Sequence, residues 1–305
     1  MTTPNAMTAL SARHLRHVAA QWLAAERPAL VVRVHTIRGS TPREAGVRML
    51  VGGGEHGGQS GDALGTVLGT IGGGHLEWQA IDLARKALAE ARTASKPLAA
   101  WQQTFALGPT LGQCCGGSVD LAFEPLTETT LQAWTLPAPR FHLELHGAGH
   151  VGQAIVKLLA DIDCTVRWLD ERADTAETCG ADAPGLPSPE AIAALPPHIQ
   201  FVSTAQAEAE VADAPALAYH LVLTHRHDLD LRIIHAVLKR GDFAFAGLIG
   251  SQTKRAKFLH RLQAMGVSDN AIARLTCPIG LPDLPGKEPA VIAISVVAQL
   301  LQRTA

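Results

Sequence analysis

The chain has 305 residues, of which 47% are hydrophobic and only 18% charged, a balance that excludes a disordered or fibrous protein. Lys plus Arg number 26 against 28 Asp plus Glu, a formal net charge of −2 at pH 7, so the surface as a whole offers no attraction to a polyanion or an anionic membrane. Seven Phe, five Trp and one Tyr leave little material for stacking nucleobases, so nucleic acid is excluded as a partner. The longest apolar run near an end, Ala290 to Leu301, is shorter than the ~20 residues that cross a bilayer, so a membrane is excluded too. At roughly 150 residues per domain, two domains are expected. The start lacks the pattern of a secretory signal, and five cysteines, at 114, 115, 164, 179 and 277, make no disulfide framework. Both readings point to the cytoplasm.

In chain order, Leu10, Leu15, Val18 and Leu23 mark an amphipathic first helix. Ala29 to Ile37 alternates apolar and polar residues and reads as a strand that empties into Gly39-Ser40-Thr41-Pro42-Arg43. Strands follow at Val47 to Val51 and Val67 to Ile71, separated by a glycine-heavy stretch. Then comes Gly72-Gly73-Gly74-His75, and a helix from about Leu76 to Ala91 with Ile81, Ala84 and Leu88 on one face. Trp101 to Leu107 and Ser118 to Glu124 read as strands flanking the loop Gln113-Cys114-Cys115-Gly116-Gly117. The first half, residues 1–135, is therefore an α+β unit with glycine-rich loops.

Pro137 and Pro139 mark an extended linker. Beyond it, residues 136–305 alternate short apolar strands with helices: strands at Arg140 to Leu145, Cys164 to Leu169, Gln200 to Ser203, Tyr219 to Leu223 and Phe243 to Ile249, with a helix at Gln153 to Leu159. This alternation predicts a Rossmann-like, doubly wound parallel sheet. Gly180 to His198 carries five prolines and reads as an irregular connection.

The strongest short motif is Gly147-Ala148-Gly149-His150-Val151-Gly152, set between a strand and a helix, with Asp170 lying 18 residues past Gly152 at the end of the next strand. In a dinucleotide site Gly149 admits the ligand, the helix N-terminus meets its phosphate and Asp170 accepts from a ribose hydroxyl. The plain alternative is a Rossmann-like domain whose site is vestigial or holds another phosphate ligand. A second anion site is expected at Gly250 to Arg255, where Ser251 or Thr253 caps a helix and Lys254 and Arg255 face a phosphate; the alternative is a solvated basic turn. Lys287 stands at the mouth of the last helix, which Pro289 opens. The run Thr224-His225-Arg226-His227-Asp228 departs from the register of a hydrolase metal box, so His225 is expected to line the crevice at a strand's carboxyl end.

In the first half, the loops Ser40 to Arg43, Gly72 to His75 and Gly112 to Gly117 could be tight turns, or backbone that closely approaches a flat or phosphorylated ligand with a soft thiol beside it. Adjacent Cys114 and Cys115 face opposite ways in an extended segment, so one is presented and one buried. The candidate cofactor-binding residues are thus Ser40, Thr41, Arg43, Gly73, Gly74, His75, Gln113, Cys114 and Cys115 in the first half. In the second they are Gly147, Gly149, His150, Gly152, Asp170, His225, Ser251, Lys254, Arg255 and Lys287.

The segments GSTPREAGVRMLV (39–51), GTIGGGHLEWQAI (69–81), LGQCCGGSV (111–119), HGAGHVGQAI (146–155), LVLTHRHDLDL (221–231), GLIGSQTKRAKF (247–258) and CPIGLPDLPGKEPAVIA (277–293) closely resemble the XdhC/CoxI family of xanthine dehydrogenase accessory proteins. The resemblance implies an N-terminal domain carrying the cysteine loop and a C-terminal Rossmann domain. It also implies a chaperone rather than an enzyme: a protein of purine catabolism that binds molybdenum cofactor (molybdopterin) and guards it while a cysteine desulfurase supplies the terminal sulfur. The cofactor then passes to the molybdenum-binding subunit of apo xanthine dehydrogenase. On that view Cys114 or Cys115 neighbours the molybdenum. The rival reading is an NAD(P)-dependent oxidoreductase, and self-association into a homo-oligomer is left open.

Overall fold

A computed structural model describes residues 10–53, 66–107, 117–173 and 185–303. The chain divides into two compact units, Met1–Pro137 and Ala138–Ala305, with the division inside the proline-marked stretch.

The first unit is built on a five-stranded antiparallel sheet in the order β3-β2-β1-β5-β4, with β1 at Ala29–Arg38, β2 at Arg48–Gly52, β3 at Val67–Gly69, β4 at Trp101–Ala106 and β5 at Ser118–Pro125. Side chains alternate across β1, so it feeds two cores at once. Leu30, Val32 and Val34 pack with Leu76, Ala80, Ala84 and Leu88 of α2 (Gly74–Ala94). Ala29 and Val31 face the other way, onto Leu15, Ala19 and Trp22 of α1 (Ala12–Ala24). A short helix not marked by the apolar pattern, α3 (Glu128–Ala133), follows β5 and is capped by Thr127.

The second unit holds a six-stranded, all-parallel sheet in the order β11-β10-β9-β6-β7-β8. Its strands are β6 (His142–His146), β7 (Thr165–Asp170), β8 (Ile199–Ser203), β9 (Tyr219–Val222), β10 (Phe245–Leu248) and β11 (Leu275–Thr276). The order is that of a Rossmann fold, with direction of winding reversing between β6 and β9. One face packs Leu143, Leu145 and Leu221 against Ile155 and Leu159 of α4 (His150–Leu159) and Val296 and Leu300 of α9 (Pro289–Gln302). The other packs Val222, Ala246 and Leu248 against α6 (His227–Arg240) and α7 (Gln252–Ala264). Burying each such leucine or valine stabilises the unit by about 2 kcal/mol.

Three expectations shift. Helix α4 begins at His150, three residues before the apolar period becomes visible, because its first turn is the polar, glycine-bearing mouth of the motif. The proline-rich stretch before β8 is not wholly irregular: Ser188 caps α5 (Pro189–Ala193), whose proline sits where a helix needs no N–H. A further short helix, α8 (Asp269–Ala273), precedes β11.

Candidate functional site

The reversal of winding between β6 and β9 opens a crevice at the carboxyl ends of the strands. A small depression lies there, lined by His146, Gly147, Asp170, Glu171, Thr224 and His225 among others. The three motif glycines have separate reasons to be glycine. Gly147 has φ +122°, and a Cβ on it would stand 2.4 Å from the Leu223 carbonyl oxygen. A Cβ on Gly152 would stand 2.2 Å from the Gly147 carbonyl oxygen, so this glycine lets α4 press against the loop. A Cβ on Gly149 would meet nothing within 4 Å. That open space, at a helix N-terminus capped by no side chain, is where a phosphate could approach the backbone amides. His150 is exposed at the first position of α4.

Asp170 is used differently from the expected ribose contact. Its Oδ2 accepts from the Ala148 amide at 2.7 Å and from an Arg172 terminal nitrogen at 2.8 Å; its Oδ1 accepts from the Arg172 amide and Nε, both at 3.0 Å. A carboxylate has about four acceptor positions, and all are taken. Burial opposes its charge, yet the hydrogen bonds from Arg172 and the Ala148 amide win and hold its pKa below the usual carboxylate value. The acid clamps the glycine loop. His225 does line the crevice, with Nε2 3.9 Å from Oε1 of Glu171, which Arg226 also approaches at 3.4 Å.

At the mouth of α7, Ser251 is the cap: its Oγ accepts from the Lys254 amide at 3.2 Å. The Lys254 ammonium, expected to face a phosphate, is turned into the domain instead. It donates to Asp230 Oδ2 at 2.6 Å and to the Ile249 carbonyl at 2.8 Å. Asp230 is fully buried and also accepts from the amide and hydroxyl of Thr224, so it draws in a lysine for neutralisation. Arg255 is half-buried in the same turn, and Lys287 is exposed just ahead of Glu288 and Pro289. Among the described residues, no group of three or more His, Cys, Asp or Glu is placed to hold a metal.

In the first unit three loops gather at one end of the sheet. A Cβ on Gly117 would lie 2.5 Å from the carbonyl oxygens of Arg38 and Ser40, and one on Gly72 would lie 2.7 Å from Pro42 Cγ. The loop after β1, the loop after β3 and the entry to β5 are therefore in contact. Ser40 is exposed, the Thr41 hydroxyl donates to the Arg43 carbonyl at 3.1 Å, and Arg43 pairs loosely with Glu44 at 3.4 Å. Gly73 and Gly74 take φ values of +73° and +65°, and His75 stacks on Trp78, whose side chain is 62% exposed. Gln113, Cys114 and Cys115 lie outside the described residues.

Two family models cover the chain, one described as the XdhC Rossmann domain over residues 143–300 and one as the XdhC and CoxI family over residues 22–98. The chain belongs to the XdhC family. A curated relative, the uncharacterised protein YqeB of Escherichia coli (strain K12), is 28% identical over 276 residues. That match takes in 90% of this chain but 43% of YqeB, so the chain spans less than half the length of that relative. A crystal structure described as a xanthine dehydrogenase from Bacillus halodurans shares the fold, with a TM-score of 0.65 and 18% identity over 96% of each chain.

Three residues of this XdhC-family chain escaped the sequence reading. Glu77, 1% exposed, accepts through Oε2 from the Thr70 hydroxyl at 2.6 Å and from the Ile71 and Gly73 amides at 2.8 and 3.1 Å. The glycine loop before α2 is thus organised by a carboxylate, and two of its amides are spoken for. Asp230 and His146 are the others. An acid early in a helix is a visible signal, but its direction is not: Glu77 and Asp230 stand in the first turns of α2 and α6, where an acid is as readily a solvated residue.

Proposed function

We propose that this protein is a molybdenum cofactor carrier and insertion factor. It binds the cofactor, shields it while a cysteine desulfurase supplies the terminal sulfur, and delivers it in the cytoplasm to apo xanthine dehydrogenase, within purine catabolism. Family membership supports the accessory role, as does the shared fold with a protein described as a xanthine dehydrogenase. The observation that carries the ligand assignment is the pairing of a phosphate-ready α4 mouth, open at Gly149, with an Asp170 whose acceptor positions are filled. Such a site takes a phosphate and lacks the free acid that anchors an adenosine ribose.

The cargo is a pterin with a phosphate tail and a sulfur-ligated molybdenum, and it supplies hydroxylation chemistry only once seated in the recipient enzyme. The residues here hold and shield. Gly149 and the first amides of α4 would receive the phosphate. Cys114 or Cys115 would supply the soft thiolate suited to a sulfur-ligated metal. An NAD(P)-dependent oxidoreductase is the second reading, favoured by the strand order and the glycine roles.

The deciding experiment is purification from cells that make the pterin and from cells that lack it, followed by oxidation and assay of pterin fluorescence and molybdenum. Both signals in the first preparation alone are expected. If both preparations are blank and NAD or NADP gives heat in calorimetry, the oxidoreductase reading takes its place.

A further inference from the structure

Strand β4 forms one edge of the first unit's sheet, since among the described residues it pairs with β5 alone. Residues of an antiparallel strand alternate between those that bond this neighbour and those whose N–H and C=O point the other way. The Leu107 amide donates to the Gly117 carbonyl at 2.8 Å, one step beyond the pairing of Ala106 with Ser118. Counting back from Leu107, Phe105, Gln103 and Trp101 bond toward β5, while Gln102, Thr104 and Ala106 turn their backbone outward. These outward residues are exposed, and among the described residues no group bonds their main chain on the open side. The edge is also held in place: Trp101 stacks on Phe123 with ring centroids 4.5 Å apart, and the Thr104 hydroxyl donates to Asp120 Oδ1 at 2.6 Å.

Open sheet edges are ordinarily blunted by charge, proline, a bulge or shortness, because their unpaired groups recruit another strand. The opposite edge, β3, is blunted by its length of three residues. Strand β4 has none of these devices: it runs for six residues without proline, keeps one register with β5, and no charged residue occurs between Lys96 and Asp120. We propose that β4 is a self-association edge, on which a second copy of this chain lays its own β4 antiparallel about a two-fold axis at Thr104. That register lets every outward residue pair, Thr104 with Thr104 and Gln102 with Ala106 of the copy. Charge favours a copy over a different chain. A two-fold axis brings each charge near its own like, so a charged edge repels itself, and the neutral stretch from Pro97 to Val119 is what self-pairing requires. The two sheets then continue as one.

Analytical ultracentrifugation of the full chain reads the association. Wild type should sediment as a dimer that dissociates on dilution. Gln102→Pro deletes an outward N–H from each copy and leaves the bonds to β5 in place, so it should weaken association about tenfold or more. Gln102→Ala keeps that amide and should associate like wild type. A wild type that stays monomeric overturns the proposal and leaves the edge to an extended segment of another chain. A Gln102→Pro protein that dimerises as tightly as wild type also overturns it, by placing the interface on another surface. Equal loss in both variants makes the contact one of side chains and refutes backbone pairing. Should the proline variant fail to fold, hydrogen exchange on the wild type decides. The peptide spanning residues 101–106 should lose protection when the chain is diluted from dimer to monomer; protection independent of concentration refutes the pairing.

Discussion

The ammonium of Lys254 lies 2.6 Å from the Asp230 carboxylate, with the lysine side chain 10% exposed and the aspartate fully buried. The pair ties three parts of the crevice rim together, since Asp230 also holds Thr224 after β9 and Lys254 also holds the Ile249 carbonyl after β10. Removing one partner leaves the other as an uncompensated buried charge. Lys254→Met should therefore lower unfolding free energy by about 3 kcal/mol. Urea denaturation measures this loss, and a parallel phosphate titration should show little change. A variant as stable as wild type but tenfold weaker for phosphate would return Lys254 to the ligand.

The motif glycines should separate stability from binding. Gly147→Ala and Gly152→Ala each drive a Cβ to within 2.4 and 2.2 Å of a backbone oxygen, and should destabilise by more than about 2 kcal/mol. Gly149→Val places its side chain in open space and should cost only about 1 kcal/mol, the difference between glycine and valine at a helix cap. It should nevertheless abolish binding of molybdopterin in calorimetry. Undiminished heat with that variant would move the phosphate site elsewhere.

Glu77 is predicted to hold the Thr70 to Gly73 loop. Glu77→Leu strands two amides and a hydroxyl, a loss of about 3 kcal/mol, whereas Glu77→Gln retains one acceptor oxygen and should lose about 1 kcal/mol. Thermal unfolding of the two variants, ranked against wild type, checks the order.

Acid should weaken the second unit through its buried histidines. Burial first, then Arg240 and His142, lower the His220 pKa to about 4 against the opposing pull of Asp242, and His146 moves in the same direction. Because the folded pKa lies below the unfolded value of about 6.5, the unfolded chain takes up the proton first. Stability from His220 is complete above about pH 6.5, falls as pH drops toward 4, and levels off below. The loss reaches about 2 kcal/mol at pH 5. Urea midpoints at pH 7.5 and 5 should converge in His220→Phe compared with wild type.

For the cysteine loop, single replacements Cys114→Ser and Cys115→Ser should leave folding intact while one of them lowers molybdenum retention after purification. Equal retention in both single variants and in the double variant would remove the thiols from the metal's surroundings.

Much of the architecture was written locally. Alternating apolar residues over 29–37, helical spacing over 76–91 and short apolar runs between helices are enough to give an α+β unit followed by a parallel sheet, because each period directly matches one backbone geometry. Gly147, Gly149 and Gly152 were legible for the same reason: a strand, a tight turn and a helix mouth each leave a residue-type signature. What sequence could not decide was where charged side chains point. Asp170 and Lys254 stand at positions where a ligand contact is expected, yet each is captured by a protein partner, Arg172 with the Ala148 amide in one case and Asp230 in the other. His146 has another history, since an ordinary strand residue is enclosed, with neither ring nitrogen partnered, only when β9 and His220 are laid beside β6. Periodicity is a property of neighbours along the chain and survives in one dimension. Whether a charge meets a counter-charge, solvent or nothing depends on groups as far apart in sequence as His146 and His220, and only the packed sheet brings those together.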